Sequence, residues 1–159
     1  MFEVELHSVF GYNPETGTIY RKVRMGNYSA GTTCTSKYQN GYGKVTYKGQ
    51  QMLAHRLAWF LHFKEQPPKQ LDHINLDKAD NRIQNLRGAT MSQNQMNIQT
   101  HTRSKTGVKG IMPVRGGTLY RAEVCVDGKR YQKHSKCIEK LKGWVQSKRL
   151  ELHGEYANT

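Results

Sequence analysis

The sequence predicts an α+β protein built from two small domains, and three observations support this prediction. Short alternating segments between turn residues fill residues 9–50, which favours small antiparallel sheets. Helix-like runs at residues 52–61 and 138–152 place apolar side chains on one face. Residues 99–106 contain no large apolar side chain, which is typical of a linker. The predicted domains are therefore residues 1–98 and 107–159.

The composition indicates a polyanionic partner. The 159 residues include 25 Lys and Arg against 12 Asp and Glu, a net charge of +13. Residues 1–98 carry 12 basic and 7 acidic side chains (+5), whereas residues 99–159 carry 13 and 5 (+8). This density favours nucleic acid. A basic surface that serves only solubility is the alternative interpretation.

Cysteine usage and hydropathy indicate the compartment. Cys34, Cys125 and Cys137 are far apart and form no Cys-x-x-Cys pair, so neither a disulfide framework nor a zinc knuckle is predicted. No apolar run reaches the length of a membrane span, and the first residues lack the features of a signal peptide. We therefore expect a cytoplasmic protein that does not associate with membranes.

The N-terminal half begins with turns and strands. A turn cluster at residues 13–17 precedes a strand candidate at 18–21, and residues 41–47 alternate. A helix is predicted over residues 52–61, before Pro67 and Pro68 stop it. For His55 inside this helix, a hydrogen-bonded structural role is favoured over a catalytic one.

The next segment is predicted to form a compact ββα unit over residues 69–98. Residues 69–74 are a strand candidate, 75–85 are too polar for a regular element, and 86–89 are a second strand candidate. Thr90 offers a helix N-cap with Gln93 three residues later, which is a capping-box pattern. A short helix over residues 91–98 should follow.

This unit carries the residues that hydrolysis of a phosphodiester needs, namely a base, a cation site and groups that hold both in line. His73 is its only imidazole, with an ordinary pKa near working pH, so it is the natural base. Asp72 and Asn94 offer hard oxygen ligands, which favour Mg²⁺ or Mn²⁺ over zinc. On a strand, however, Asp72 and His73 point to opposite sides unless the backbone twists at the strand end.

Other polar residues of the unit are candidates for supporting roles. Asn85 precedes the second strand, where its amide could brace the loop that carries His73 and fix the imidazole tautomer. Arg82 and Arg87 are candidates to clamp phosphate.

Together these segments resemble the HNH endonuclease motif of phage and intron homing enzymes. The resemblance is carried by Leu-Asp-His-Ile-Asn at 71–75, Asp-Asn-Arg-Ile-Gln-Asn-Leu-Arg at 80–87, Ala-Thr at 89–90 and Gln-Asn-Gln-Met-Asn at 93–97. It extends upstream through residues 41–42, 55–59 and Pro67, and so covers roughly residues 10–98.

The resemblance implies a ββα-metal fold in which His73 activates water, while Asp72 and Asn94 bind one divalent ion per active site. Asn85 would be the central Asn that orients the base. Asn94 stands where the family often has His, so this is an H-N-N variant that favours Mg²⁺ or Mn²⁺. The expected products carry 5′-phosphate and 3′-hydroxyl ends, and a phage-encoded protein would act in the host cytoplasm.

The C-terminal domain is predicted to be a three-stranded antiparallel sheet with one helix. Residues 120–126 alternate, Asp127-Gly128 is a strong two-residue hairpin signal, and residues 129–134 return, with 108–112 as a third strand. A helical face over positions 138, 141, 145 and 152 ends at Gly154. The two-residue turn places six side chains on the face away from the helix: Arg121, Glu123, Cys125, Arg130, Gln132 and His134.

Residues 107–154 resemble the AP2 DNA-binding domain that often follows the HNH unit, through Gly107-Val108-Lys109-Gly110, residues 120–124, the hairpin and the helix. Arg, Glu and Gln are side chains that read base edges when a sheet enters the major groove. The outward face is therefore a candidate DNA contact surface, and Lys109 and Arg115 are candidates to join it. An ordinary solvated sheet face is the alternative interpretation.

The sequence thus predicts a divalent-metal-dependent endonuclease that cuts double-stranded DNA, with nicking by a monomer as the default. A double-strand break would need a dimer or a second encounter, because one active centre cuts one strand. The competing interpretation is a non-catalytic DNA-binding or regulatory protein on the same scaffold. An RNA-binding or RNA-cleaving module is a third, less favoured class.

Overall fold

The computed structural model describes residues 2–38, 40–97, 105–114, 116–126 and 128–156. The chain divides into two compact units, Met1–Thr90 and Met91–Thr159. Small antiparallel sheets and helices make up both units, which confirms the predicted α+β class. A functional boundary at the predicted linker stays a prediction, because residues 98–104 lie outside the described residues.

The described residues of the first unit form two α-helices and seven short strands. Its elements are α1 (Phe2–Val9), β1 (Phe10–Asn13), β2 (Thr18–Arg21), β3 (Ser36–Lys37), β4 (Gly43–Tyr47), β5 (Gln50–Leu53), α2 (Ala54–Phe63), β6 (Gln70–His73) and β7 (Leu86–Ala89). The strands pair as a β1–β2 hairpin, a β3–β4–β5 sheet and a β6–β7 pair, all antiparallel.

Helix α2 fixes the position of the β6–β7 pair through a shared core. Ala54, Leu57 and Ala58 of this helix are buried in one cluster with Phe10 and Ile19 of the N-terminal hairpin. The same cluster contains Leu71 of β6 and Leu86 of β7. Because Leu71 immediately precedes Asp72, burial of the leucine anchors the strand that carries Asp72 and His73.

Three details of the first unit differ from the sequence prediction. The helix predicted from residue 52 begins at Ala54, because Met52 and Leu53 pair with β4 as the end of β5. The predicted loop 75–85 ends in one turn of 3-10 helix at Ile83–Asn85. Helix α1 was not predicted; it contributes Leu6 and Val9 to the core.

The second unit contains helix α3 (Met91–Met96), strands β8 (Ile111–Pro113), β9 (Tyr120–Val126) and β10 (Lys129–Ser135), and helix α4 (Ile138–His153). The strands form a sheet of order β10–β9–β8. Ala122 and Val124 of β9 are buried with Leu141 and Val145 of α4. The predicted hairpin and helix are therefore confirmed, and positions 141 and 145 of the predicted helical face are buried. The third strand spans Ile111–Pro113 and not the predicted residues 108–112.

Candidate active site

Strand β6 delivers Asp72 to a buried ion pair. Asp72 lies opposite Arg87 of β7 in the antiparallel register. Its Oδ2 accepts hydrogen bonds from Arg87 Nε at 3.1 Å and Nη2 at 3.0 Å. Both side chains are largely shielded from water, at 7% and 12% exposure. The arginine thus neutralises this carboxylate and fixes its orientation.

His73, one residue further along β6, faces different partners. Its ring lies 5.1 Å from the ring of His55 and 5.9 Å from the ring of Tyr42, between centroids. The alternation of side chains along a strand accounts for the separation of His73 from the Asp72–Arg87 pair. Asp72 and His73, although adjacent in sequence, therefore contact different sets of residues.

Burial controls the protonation of both histidines. His73 is 4% exposed, and burial lowers the pKa of its imidazole, although the Asn81 hydrogen bond and the charges of Asp72, Asp77 and Asp80 oppose that shift. Burial is the main cause that lowers the pKa of His55 to about 3, with smaller electrostatic contributions from His73 and Arg56. Both rings are therefore neutral near pH 7, and a neutral imidazole is the form that accepts a proton.

Asn85 braces the loop between β6 and β7. The Asn75 N–H donates to Asn85 Oδ1 at 3.0 Å, and Asn85 Nδ2 donates to the Asp80 carbonyl oxygen at 2.8 Å. The Ile74 N–H also donates to the Asn85 carbonyl oxygen at 2.9 Å. These bonds tie the residues that follow His73 to the start of β7, which is the bracing predicted for Asn85.

Asn81 occupies the position next to the imidazole that the sequence interpretation gave to Asn85. Its Oδ1 lies 3.2 Å from His73 Nε2, and the residue is 4% exposed. The sequence places three amides in the Asp-Asn-Arg-Ile-Gln-Asn run, at positions 81, 84 and 85. Nothing in the run says which of them reaches the ring, so the contact from Asn81 was missed.

The two arginines proposed as phosphate clamps both have carboxylate partners. Arg87 pairs with Asp72, as described above. Arg82 forms a two-point contact with Asp80, from Nε to Oδ1 at 2.8 Å and from Nη2 to Oδ2 at 2.6 Å. This contact lowers the pKa of Asp80 to about 2. Arg82 keeps 43% of its side chain exposed and remains the more accessible of the two.

Asn94, the second predicted metal ligand, lies on α3 in the second unit and is partly buried. Its role as a partner of Asp72 stays a prediction. The Asp72 carboxylate and the Asn94 amide each offer an oxygen ligand. Such ligands suit Mg²⁺, which is commonly held by one or two carboxylates with water and substrate phosphate. Within the described part of the chain, no group of three or more His, Cys, Asp or Glu side chains is placed to hold a metal.

The predicted DNA-contact face lies on the β9–β10 hairpin. Its pairs are Arg130 with Cys125, Gln132 with Glu123 and His134 with Arg121, as the two-residue turn predicts. Cys125, Arg130, Gln132 and His134 are exposed, and Arg121 and Glu123 are partly so. Gln132 Nε2 donates to Glu123 Oε2 at 2.6 Å, and Arg121 Nη2 contacts Met112 Sδ at 3.1 Å.

The two residues suggested as additions to that face have different outcomes. Lys109 is partly buried at the loop that follows the linker, and its carbonyl oxygen accepts a hydrogen bond from Arg149 Nη2 at 2.7 Å. Burial, with the positive charge of Arg149, lowers the pKa of Lys109 to about 8. Arg115 lies outside the described residues.

Comparisons with known proteins agree with the position of the site. Residues 52–96 match the HNH endonuclease family. This segment runs from the end of β5 through α3 and includes the predicted base, metal ligands and bracing residue: Asp72, His73, Asn85 and Asn94. Protein 3.8 of Escherichia phage T7 is 29% identical over 87 residues, which are 55% of this chain and 72% of that protein. No solved structure matches this chain.

None of the described helices combines the length of a membrane span with an apolar composition.

Proposed function

We propose that this chain is a divalent-metal-dependent endonuclease that hydrolyses phosphodiester bonds of double-stranded DNA and cuts one strand per active centre. The observation that carries the proposal is His73, a buried and neutral imidazole one residue from a carboxylate, inside the segment that matches HNH endonucleases. The net charge of +13 supports a nucleic-acid substrate.

In the proposed reaction His73 takes a proton from water, and the water oxygen forms a bond to the phosphorus. The bond from phosphorus to the 3′ oxygen breaks, so the products are a 5′-phosphate and, after protonation, a 3′-hydroxyl. A divalent ion with Asp72 as a ligand would stabilise negative charge on the phosphate and the leaving oxygen. Asp72 stays oriented by Arg87, and Asn85 keeps the β6–β7 loop in place.

We further propose that the second unit binds the DNA. Its exposed hairpin face presents Arg121, Arg130, Gln132 and His134, and an AP2-like arrangement would place these side chains in the major groove. Site preference would then come from the hairpin face of the second unit, and the base His73 from the first unit. A homing role and nicking by a monomer are the finer parts of this proposal.

The deciding experiment incubates supercoiled plasmid with the full chain and Mg²⁺ or Mn²⁺. We expect the wild type to relax the plasmid, excess chelator to stop the reaction, and His73→Ala to lower the rate about 10²- to 10⁴-fold with DNA binding unchanged. Equal relaxation by His73→Ala would contradict the catalytic role. Tight DNA binding without relaxation by the wild type would favour the non-catalytic DNA-binding alternative.

A further inference from the structure

The side chain of Asn81 is held in one orientation beside His73. Its Oδ1 lies 3.2 Å from His73 Nε2, and its Nδ2 donates to the Ala79 carbonyl oxygen at 3.3 Å. A reversed amide would bring Oδ1 against the Ala79 carbonyl oxygen, and two acceptors repel each other. The oxygen therefore faces the imidazole.

This orientation selects one tautomer of the neutral ring. An amide oxygen only accepts, so Nε2 must carry the hydrogen, and the lone pair that takes a proton is then on Nδ1. The wrong tautomer places a hydrogen where the base needs its lone pair.

The backbone of Asn81 is in turn held by the β1–β2 hairpin, residues 10–21. The Tyr12 hydroxyl donates to the Asn81 carbonyl oxygen at 2.7 Å, and the Ile83 N–H donates to the Pro14 carbonyl oxygen at 3.1 Å. Gly17 of the same hairpin lies against the backbone of Asn81 and Arg82, and its φ is +73°. A Cβ at Gly17 would lie 2.6 Å from the Arg82 nitrogen and 2.7 Å from the Asn81 carbonyl carbon.

We propose that the β1–β2 hairpin clamps Asn81 against His73, and that Asn81 is a positioning residue that fixes the Nε2–H tautomer of the imidazole. All three hairpin contacts come from residues before position 52, and thus from outside the segment that matches HNH endonucleases. The functional significance of the clamp rests on the proposed role of His73 as the base, whereas the tautomer itself does not.

The first test measures the tautomer directly in the full-length protein. Long-range ¹H–¹⁵N spectra of the imidazoles distinguish Nε2–H from Nδ1–H rings, and the His73 signals are assigned by their loss in His73→Gln. We expect the Nε2–H form in the wild type and a mixture of forms in Asn81→Leu, which removes the acceptor. A wild-type Nδ1–H ring, or an unchanged Nε2–H ring in Asn81→Leu, would overturn the proposal.

The second test addresses the hairpin with a matched pair of glycines. Gly17 and Gly49 have nearly equal φ angles, +73° and +77°, but a Cβ at Gly49 would meet nothing within 4 Å. Gly17→Ala should disturb the His73 tautomer and lower kcat in plasmid nicking on the order of 10- to 100-fold, with KM unchanged. Gly49→Ala should leave both at the wild-type value. Equal behaviour of the two variants would refute the clamp.

Tyr12→Phe removes one hydroxyl from the same contact without adding an atom, and serves as a second variant if Gly17→Ala does not fold. We expect a smaller change in the same direction, and wild-type spectra for this variant would also count against the clamp. Because the spectra need neither DNA nor metal, a protein without nuclease activity would contradict the proposed function and still give a result for the tautomer.

Discussion

The candidate functional residues of the two units differ in their exposure. In the first unit Asp72, His73, Asn81 and Asn85 are buried, and each has a hydrogen-bond partner within that unit. In the second unit Arg130, Gln132 and His134 are exposed on the surface of a sheet. Buried polar groups fix a geometry, which chemistry requires, whereas exposed ones stay available to a partner. The contrast supports the proposal that the first unit supplies the base His73 and that the hairpin face of the second unit binds DNA.

The largest expected difference in stability between the units comes from two arginines. Arg87→Ala leaves the Asp72 carboxylate buried without its cation, so we expect a loss of about 3–5 kcal/mol in the free energy of unfolding. Arg130→Ala removes an exposed side chain and should change it by no more than about 0.5 kcal/mol. Urea unfolding measures both. Similar values for the two variants would mean that the ion pair does not stabilise the first unit.

A second comparison concerns DNA affinity. Arg121→Ala and Arg130→Ala should each weaken DNA binding by about 1–3 kcal/mol if they contact base edges, with relaxed preference at one base position. If they contact phosphates, the loss of affinity should be the same for all DNA sequences. The slope of log affinity against log salt concentration should then fall by about one for each arginine removed. Titrations at several salt concentrations separate these results. Unchanged affinity in both variants would refute the outward face as the contact surface.

A third comparison uses the acid sensitivity of the first unit. Because the pKa of His55 is about 3 in the folded chain and 6.5 is its ordinary value, only the unfolded chain binds this proton between those pH values. His55 therefore lowers stability as the pH falls from 6.5 towards 3, and its contribution to this dependence disappears well above its ordinary pKa of 6.5.

His55→Phe should flatten the pH dependence of unfolding in that window by up to about 1.4 kcal/mol per pH unit. His153→Phe serves as a control in the second unit, since burial also lowers the pKa of His153 but the residue is less enclosed. A pH dependence that His55→Phe leaves unaltered would show that His55 is not buried as a neutral ring.

The smallest effect is expected at the exposed helix surface of the second unit. Lys142 Nζ lies 2.7 Å from Glu139 Oε1 on α4, with 41% and 76% of the side chains exposed. Exposed pairs at this spacing contribute about 0.2–0.5 kcal/mol, so Lys142→Ala should change stability by no more than that. Thermal unfolding at low and high salt tests this, and a loss above about 1 kcal/mol would indicate a structural role for the pair.

The sequence predicted registers well where a short turn sets them and poorly where a long loop intervenes. Only two residues separate β9 from β10 in the sequence, and a connection this short fixes their pairing, so the outward face was predicted residue by residue. Twelve residues separate His73 from Leu86, and a loop of that length leaves the register open. The pairing of Asp72 with Arg87 was therefore beyond prediction, and Arg87 was assigned to phosphate instead.

Asn81 shows the same limit at the level of one side chain. The motif places several amides, a carboxylate and an imidazole close together in sequence, which was enough to locate the candidate site. Which amide faces the ring depends on contacts from Tyr12 and Gly17, some 60 residues away. Such distant support has no signature in the local pattern, since a tyrosine and a turn glycine fit any hairpin.

The most direct test of the division between cleavage and binding compares two full-length variants on the same plasmid substrate. His73→Ala and the double variant Arg121→Ala/Arg130→Ala are each measured for Kd by DNA titration and for kcat by nicking at saturating DNA with Mg²⁺. If cleavage and binding are divided as proposed, His73→Ala lowers kcat at unchanged Kd, and the double variant raises Kd at unchanged kcat. A change in the same parameter in both variants would contradict this division.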